Sequence, residues 1–154
     1  MAVRNIRTGN APVLREKSSE IKEINPQVIN LLEDMAETMY HSDGVGLAAV
    51  QVGIPKKLVV IDIQDGKLLE LINPKIIKSE GQEVDVEACL SIPGIMGEVP
   101  RAKKVTVEAL NREGQKFIVE GEDFLARVLQ HEIDHLEGVL FIDRAVRFLD
   151  RDED

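Results

Sequence analysis

The sequence predicts an α+β fold in which antiparallel β-sheets surround a C-terminal helix that carries an HExxH motif. Two segments with apolar residues at helical spacing lie towards the two ends of the chain, and short β-branched or alternating runs lie between them. Asp65-Gly66, Glu80-Gly81 and Glu113-Gly114 separate these runs in the manner of antiparallel connections. A chain of 154 residues is long enough for one core and too short for two, so we expect a single domain over residues 1–154.

The first helix is predicted over roughly residues 26–42. It begins at Asn25-Pro26, because proline is favoured in the first helical turn, and it ends at the turn signal of residues 42–44. Its apolar side chains recur at helical spacing: Val28, Leu32, Met35 and Met39. One face of this helix should therefore pack against the core.

Six strands are predicted after a glycine-rich segment at residues 44–53. They cover residues 57–63, 68–72, 75–79, 83–86, 104–110 and 116–120. Each run is rich in β-branched residues or alternates apolar with polar positions. Because aromatic residues make up only 3% of the chain and Trp is absent, Val, Ile and Leu must build the core.

The last helix begins near Glu122, and its polarity is divided over residues 124–138. At about 100° per residue, one face should look into the core: Phe124, Leu125, Val128, Leu129, Ile133 and Leu136. The opposite arc should be solvated: Arg127, Gln130, Asp134 and Glu137. Three residues break this division, because Glu132 projects from the apolar stripe and His131 and His135 lie along its edge. A carboxylate that faces the interior needs a nearby cation or a proton.

These three residues predict a metal site and a metallohydrolase. Two histidines at positions i and i+4 of a helix lie on one side and can hold a single ion. The opposing interpretation is that they share the helix by chance and that Glu132 pairs with an arginine elsewhere. A catalytic divalent metal usually takes three protein ligands, so a third one must come from another segment.

Cys89 is the favoured third ligand. The extended H-E-x-x-H-x-x-G-x-x-H pattern is followed through Gly138 but fails at Phe141, and His41 ends a helix that looks solvent-exposed. Cys89 stands where a strand leads into the Pro93-Gly94 turn, a place that can expose a thiolate. A lone cysteine can also be a small buried hydrophobic residue, and this alternative stays open.

The glycine-rich segment contains a G-x-G-x-x-A pattern that is not expected to bind a dinucleotide. Such a site follows a strand and opens a helix, whereas this segment follows a helix and leads towards strands. The glycines should instead let the backbone approach another group closely. Gln51 offers a neutral N–H donor that can stabilise an oxyanion, although a glutamine exposed in a turn is the simpler interpretation.

The composition limits the partners. The 19 Lys and Arg against 28 Asp and Glu give a net charge of -9, which argues against nucleic acids and anionic membranes as partners. The N-terminus lacks the apolar stretch of a signal peptide, and no run is long enough to span a membrane. A single cysteine forms no internal disulfide, so the sequence predicts a cytoplasmic protein in a reducing compartment.

Three segments together closely resemble the signature motifs of the peptide deformylase family: residues 44–51 (GVGLAAVQ), 87–91 (EACLS) and 130–138 (QHEIDHLEG). Their order and spacing also match, and the similarity extends to residues 71–74 (LINP) and 99–102 (VPRA). The resemblance implies that Cys89, His131 and His135 bind a divalent metal, physiologically Fe²⁺ and often replaced by Zn²⁺, Ni²⁺ or Co²⁺. It also implies that Glu132 is the general acid/base and that Gln51 and the Leu90 backbone N–H form the oxyanion site.

The family removes the formyl group from the N-terminal methionine of newly made proteins. The resemblance implies the same reaction here, with metal-bound water as the nucleophile and Glu132 moving the proton. The resemblance implies that the substrate peptide lies beside Val45, Gly46 and the Ala88 carbonyl as an added strand. Val45, Phe124 and Val128 are candidates for the methionine pocket, and each is equally well explained as core. Nascent N-formylmethionyl chains are the expected partners of a monomeric enzyme. A transient ribosome contact is left open, because the acidic residues 150–154 differ from the basic helix that some members use for it.

Ala88 departs from the family pattern, which has glycine at this position. Its methyl group is harmless on an extended backbone and strained at a positive φ. The departure motivates one alternative, a silent relative that binds formylated N-termini without hydrolysing them. The other alternative is a metallopeptidase that cuts internal bonds, which the missing downstream ligand disfavours.

Overall fold

Two antiparallel sheets and a central helix make up the fold, and the α+β class predicted from the sequence is confirmed. The computed structural model describes residues 2–150. Its helices are α1 (Pro26–His41), α2 (Asp123–Leu136) and the short α3 (Phe141–Arg144), with 3-10 helices at Pro12–Arg15 and Ala49–Val52. Its strands are β1 (Gly46–Ala48), β2 (Leu58–Ile61), β3 (Leu69–Glu80), β4 (Glu83–Cys89), β5 (Ile92–Arg101), β6 (Lys104–Leu110), β7 (Lys116–Glu122) and β8 (Arg147–Asp150).

The five-stranded sheet has the order β1-β2-β3-β6-β7, and the three-stranded sheet has the order β4-β5-β8. All pairs are antiparallel. β1 is therefore an outer strand of one sheet, and β4 is an outer strand of the other.

The two long helices pack on opposite faces of the five-stranded sheet. Alternate residues of a strand point to opposite faces, and all four residues of β2 are buried. Leu58 and Val60 pack with the apolar side of α1, whereas Val59 and Ile61 pack with α2. α1 begins as expected, with Pro26 in its first turn and the Asn25 side chain accepting a hydrogen bond of 3.0 Å from the Val28 N–H.

The predicted strands 68–72 and 75–79 are one strand, β3, with a register shift between Ile72 and Lys75. Asn73 takes a positive φ of 53° there. Its side chain accepts a hydrogen bond from the Ile21 N–H at 2.8 Å and donates one to the Ile21 carbonyl at 2.9 Å. The Asn-Pro signal therefore marks a bulge that ties the N-terminal segment to the sheet, rather than a break between strands.

The sequence-based prediction missed β1, β5 and β8. β5 was missed because Pro93-Gly94 was interpreted as a turn. The chain instead reverses at Leu90–Ser91, between the paired residues Cys89 and Ile92. β5 pairs with β8 only over residues 95–98, so Pro93 and Pro100 lie outside the part that is paired on both sides. A missing N–H is tolerated at such positions.

The structure also bears on the predicted turns and on the acidic C-terminal residues. Glu80-Gly81 is not a hairpin turn, because the chain passes there from one sheet to the other, whereas Glu113-Gly114 does join the paired strands β6 and β7. The acidic ending lies outside the described residues apart from Asp150, which ends β8. Within residues 2–150, no helix is long and apolar enough to cross a membrane.

Candidate metal centre

The structure brings the lone thiol to the two histidines of the HExxH motif. His131 and His135 lie one turn apart on α2, and Cys89 is the last residue of β4. The Cys89 Sγ lies 3.4 Å from His135 Nε2, and one ligand atom from each of the three residues lies within 4.8 Å of the others. His41, by contrast, is exposed at the end of α1 and is not part of this cluster. The geometry therefore favours Cys89 as a ligand over Cys89 as plain core.

His131 is oriented by a carboxylate that sequence reasoning did not single out. Its Nδ1 lies 2.8 Å from Glu87 Oε1, which leaves the other ring nitrogen for an ion. Glu87 is buried, and Arg101 and Arg127 both donate to it. Burial acts to raise the pKa of Glu87, but hydrogen bonds from Arg101 and His131 outweigh it and lower the pKa to about 2. The available signal was the position of Glu87, two residues before Cys89 in the second motif.

His135 is also prepared for ligation. It is almost completely buried, and burial lowers its pKa well below the ordinary value. The neutral imidazole is the form that binds metals.

The buried carboxylate of Glu132 is consistent with a cation bound between Cys89 and the two histidines. Its Oε1 is buried and has no hydrogen-bond partner within residues 2–150. Burial raises the pKa of Glu132 to about 7. A divalent ion held by Cys89 and the two histidines would compensate the buried carboxylate, and one thiolate with two imidazoles suits Zn²⁺, Fe²⁺, Co²⁺ or Ni²⁺. The residues present therefore fit a divalent metal.

The glycine-rich segment was predicted to approach another group closely, and that group is the Glu132 side chain. A Cβ atom added at Gly46 would lie 2.7 Å from Glu132 Oε2 and 2.9 Å from its Cγ. Gly46 does not take a positive φ, so the requirement at this position is space rather than backbone conformation.

Gln51 is 1% exposed, so its interpretation as an exposed turn residue is wrong. Its Oε1 accepts a hydrogen bond from the Ala48 N–H at 2.9 Å, which turns the Nε2 towards the thiol. That Nε2 lies 3.1 Å from Ser91 Oγ and 3.6 Å from Cys89 Sγ. The amide donor is therefore fixed beside the proposed metal ligands.

A cleft of about 310 Å³ opens onto this cluster. Besides Gln51, Cys89, Leu90, His131 and Glu132, it is lined by all five candidate substrate-binding residues: Val45, Gly46, Ala88, Phe124 and Val128. Ala88 is exposed in β4 and does not take a positive φ, so its methyl group causes no backbone strain.

The predicted division of α2 into a buried and a solvated face is wrong at both of its extremes. Arg127 is only 5% exposed and donates to Glu87 Oε2 at 2.6 Å and to the Val99 carbonyl at 2.8 Å. Phe124, placed on the inward face, is 54% exposed at the cleft. Arg127 is buried because β4 and β5 cover this part of the polar side and provide Glu87 and the Val99 carbonyl as acceptors. Phe124 is exposed because it lies in the first turn of α2, at the cleft.

Comparisons with known proteins match the chain to one family along nearly its whole length. The family model described as polypeptide deformylase matches residues 3–150. A peptide deformylase from Thermoanaerobacter pseudethanolicus is 59% identical over 153 residues, which cover 99% of this chain and 96% of the relative. One from Caldanaerobacter subterraneus subsp. tengcongensis is 60% identical over 153 residues, with the same shares. The crystal structure of peptide deformylase from Thermotoga maritima matches with a TM-score of 0.91 and 42% identity, covering 94% of this chain and 99% of that one.

Proposed function

The chain belongs to the polypeptide deformylase family and is an enzyme of that family, and from this premise we propose how its own residues remove the N-formyl group from newly made polypeptides. The overall reaction adds water to the formyl C–N bond, so that formate and a free N-terminal amine are released. The observation that carries the proposal is the cluster of Cys89, His131 and His135, together with Glu132, which lines the same cleft as Cys89 and His131.

Cys89, His131 and His135 would hold one divalent ion, with Fe²⁺ expected physiologically. When bound, such an ion supplies Lewis acidity and lowers the pKa of a water molecule next to it. Glu87 supports this role because its hydrogen bond fixes the ring of His131.

Glu132 would move the proton. Its unpartnered Oε1 accepts a proton from the attacking water and returns it to the amine nitrogen as the C–N bond breaks. Glu132 is buried beside the proposed metal ligands, so its carboxylate is held close enough to take up the proton and to deliver it again.

Gln51 and the backbone N–H of Leu90 would stabilise the oxyanion that develops on the formyl oxygen. Gln51 is held in place by the Ala48 N–H, so its Nε2 does not have to reorganise during the reaction. Leu90 follows Cys89 directly and lines the same cleft.

The substrate peptide would bind as a strand between the outer strands β1 and β4. Gly46 belongs to β1, and Val45 precedes it. Both residues line the cleft, as does Ala88 of β4. Ala88 has no partner in the β4–β5 register, which passes from the Glu87–Gly97 pair to the Cys89–Ile92 pair. Its carbonyl is therefore a suitable acceptor for an added strand. Val45, Phe124 and Val128 provide apolar surface for the methionine side chain.

The test is formate release from a formyl-methionyl peptide by the anaerobically purified, Fe²⁺-loaded enzyme. Glu132→Gln should keep one metal ion per chain and lose about 10²- to 10⁴-fold in turnover, the usual contribution of a general acid/base. Glu137→Gln is a matched control, because Glu137 follows α2 and is exposed away from the cleft. Undiminished turnover by Glu132→Gln would reject the role assigned to this carboxylate.

Both alternatives lose support. The relatives are deformylases rather than endopeptidases, which removes the reason to expect cleavage of internal bonds. The silent binder was motivated by the extra methyl group of Ala88, and this group causes no backbone strain because Ala88 does not take a positive φ.

A further inference from the structure

A continuous set of charged side chains connects His131 to a second cleft that is separate from the proposed substrate site. Glu87 accepts hydrogen bonds from Arg101 Nε and Nη2, both at 2.9 Å. The remaining Nη1 of Arg101 donates to Asp134 Oδ2 at 2.6 Å. Arg144 of α3 then donates to Asp134 through Nε at 2.6 Å and Nη2 at 3.1 Å. The series runs from His131 through Glu87, Arg101 and Asp134 to Arg144, which lines the second cleft.

Arg101 makes this set of contacts mechanically coupled. Its guanidinium is planar and rigid, so the edge that holds Glu87 cannot turn without moving the nitrogen that holds Asp134. The Arg101 side chain is only 4% exposed and that of Asp134 is 16% exposed, so water can replace few of these contacts.

Arg144 provides a second positive charge for Asp134, besides that of Arg101. Asp134 is shared between Arg101 and Arg144: its Oδ2 accepts from both cations, and its Oδ1 accepts from Arg144. Without Arg144, a mostly buried Asp134 has Arg101 as its main partner, and it then competes with Glu87 for the same guanidinium. A shift of Arg101 towards Asp134 would loosen the pair that orients the His131 ring.

We propose that Arg144 is a positioning residue, which acts through Asp134 and Arg101 to keep Glu87 against His131 and so strengthens the binding of the metal ion. This inference rests on the proposed metal centre. Arg144 does not line the substrate cleft, and it is 48% exposed, so its replacement need not disturb the core.

The experiment measures the dissociation constant of Co²⁺ by competition with a chelator, together with the absorption bands of the Co²⁺-loaded enzyme. Arg144→Gln should bind Co²⁺ about three- to tenfold more weakly, as expected for an indirect contact in a coupled network. Its cobalt bands should shift, because they report the arrangement of the imidazole and thiolate ligands. Arg144→Lys, which keeps a charge near Asp134, should recover part of the affinity.

Arg15→Gln is the matched control. Arg15 forms an ion pair with Asp143, the residue next to Arg144 on the same short helix, and the two side chains are 50% and 38% exposed. Loss of this pair loosens α3 from the 3-10 helix without touching Arg101 or Glu87, so Co²⁺ affinity should change less than twofold. Equal affinities and equal cobalt bands in Arg15→Gln and Arg144→Gln would overturn the proposal.

A double-mutant cycle tests the route. In an Asp134→Asn background, Arg144→Gln should weaken Co²⁺ binding by less than twofold, because its link to Arg101 is already lost. An undiminished effect of Arg144→Gln in that background would also overturn the proposal. Failure of the metal centre itself is distinguishable, because the unaltered chain would then bind no stoichiometric Co²⁺ or Cys89→Ser would bind it equally well.

Discussion

Replacing Gly46 by alanine should displace the catalytic carboxylate without touching any proposed metal ligand. The added Cβ would lie 2.7 Å from Glu132 Oε2, about 0.7 Å short of the 3.4 Å at which ordinary contact begins. Gly46 is paired with Ile61 in the sheet, and Glu132 is anchored on α2, so neither backbone can yield freely. The carboxylate is the part most able to move.

The size of the effect follows from that displacement. A misplacement of about 1 Å can cost a reaction about 100-fold, so a shift of about 0.7 Å should lower the kcat of Gly46→Ala by about 10- to 100-fold. Overpacking a buried site typically costs about 1–3 kcal/mol, so the free energy of unfolding should fall by a similar amount. The metal content should remain at one ion per chain, because Cys89 and the histidines are unaffected.

The assay is formate release at saturating formyl-methionyl peptide, normalised to metal content, with urea unfolding of the same samples. Gly97→Ala is the matched control, since Gly97 also lies in a strand and an added Cβ would lie 3.0 Å from the Ala145 Cβ, away from the cleft. This variant should lose stability and keep its kcat. A kcat of Gly46→Ala within twofold of the unaltered enzyme would refute the reasoning, as would an equal loss in Gly97→Ala.

Three further outcomes are expected. Gln51→Ala should lower kcat about 10²- to 10³-fold while metal content stays constant, because an oxyanion donor is removed; an unchanged kcat in the formate assay would contradict that role. Ala88→Gly should leave kcat/KM within about threefold and lower stability by about 0.5–1 kcal/mol, the cost of glycine in a strand, so a large gain in kcat/KM would show that the methyl group does obstruct the substrate. Burial acts to raise the pKa of Asp34, but hydrogen bonds from the Ala2 N–H and from Arg4 outweigh it and hold the pKa below the ordinary 3.8. The folded protein therefore gains stability from the ionised group above pH 3.8, and this gain is lost as the pH falls through the lower pKa of the folded state. In urea unfolding, Asp34→Asn should be less stable than the unaltered protein at pH 7, and the difference in the free energy of unfolding should be smaller at pH 3. A difference that is the same at both pH values would contradict this.

Local sequence patterns predicted the features of this protein that depend on neighbouring residues. The helical spacing of apolar residues placed α1 to within one residue, and the same rule found α2 and put both histidines on one side of it. β6 was also placed correctly, because its alternation continues without interruption over residues 104–110. These predictions succeeded because a helix or an alternating strand is written in consecutive residues.

Strand boundaries were less predictable, because pairing partners decide them. The Asn-Pro pair in β3 became a bulge because Ile21 binds the Asn73 side chain from a distant segment. β8 has no strong pattern of its own, and it forms a strand because β5 offers an edge to pair with.

The sequence by itself determined which residue types could do the chemistry: a histidine pair with an inward glutamate, a single cysteine and a close-packed glycine. Only the tertiary structure decided that Cys89, 46 residues before His135, reaches the histidines, that Gln51 is buried beside it, and that Arg127 lies in the interior. The reason is that the periodicity of α2 records which residues are polar, but whether a polar face meets water depends on what covers it. Here β4 and β5 cover it and bring Glu87, which provides the charge that lets Arg127 be buried.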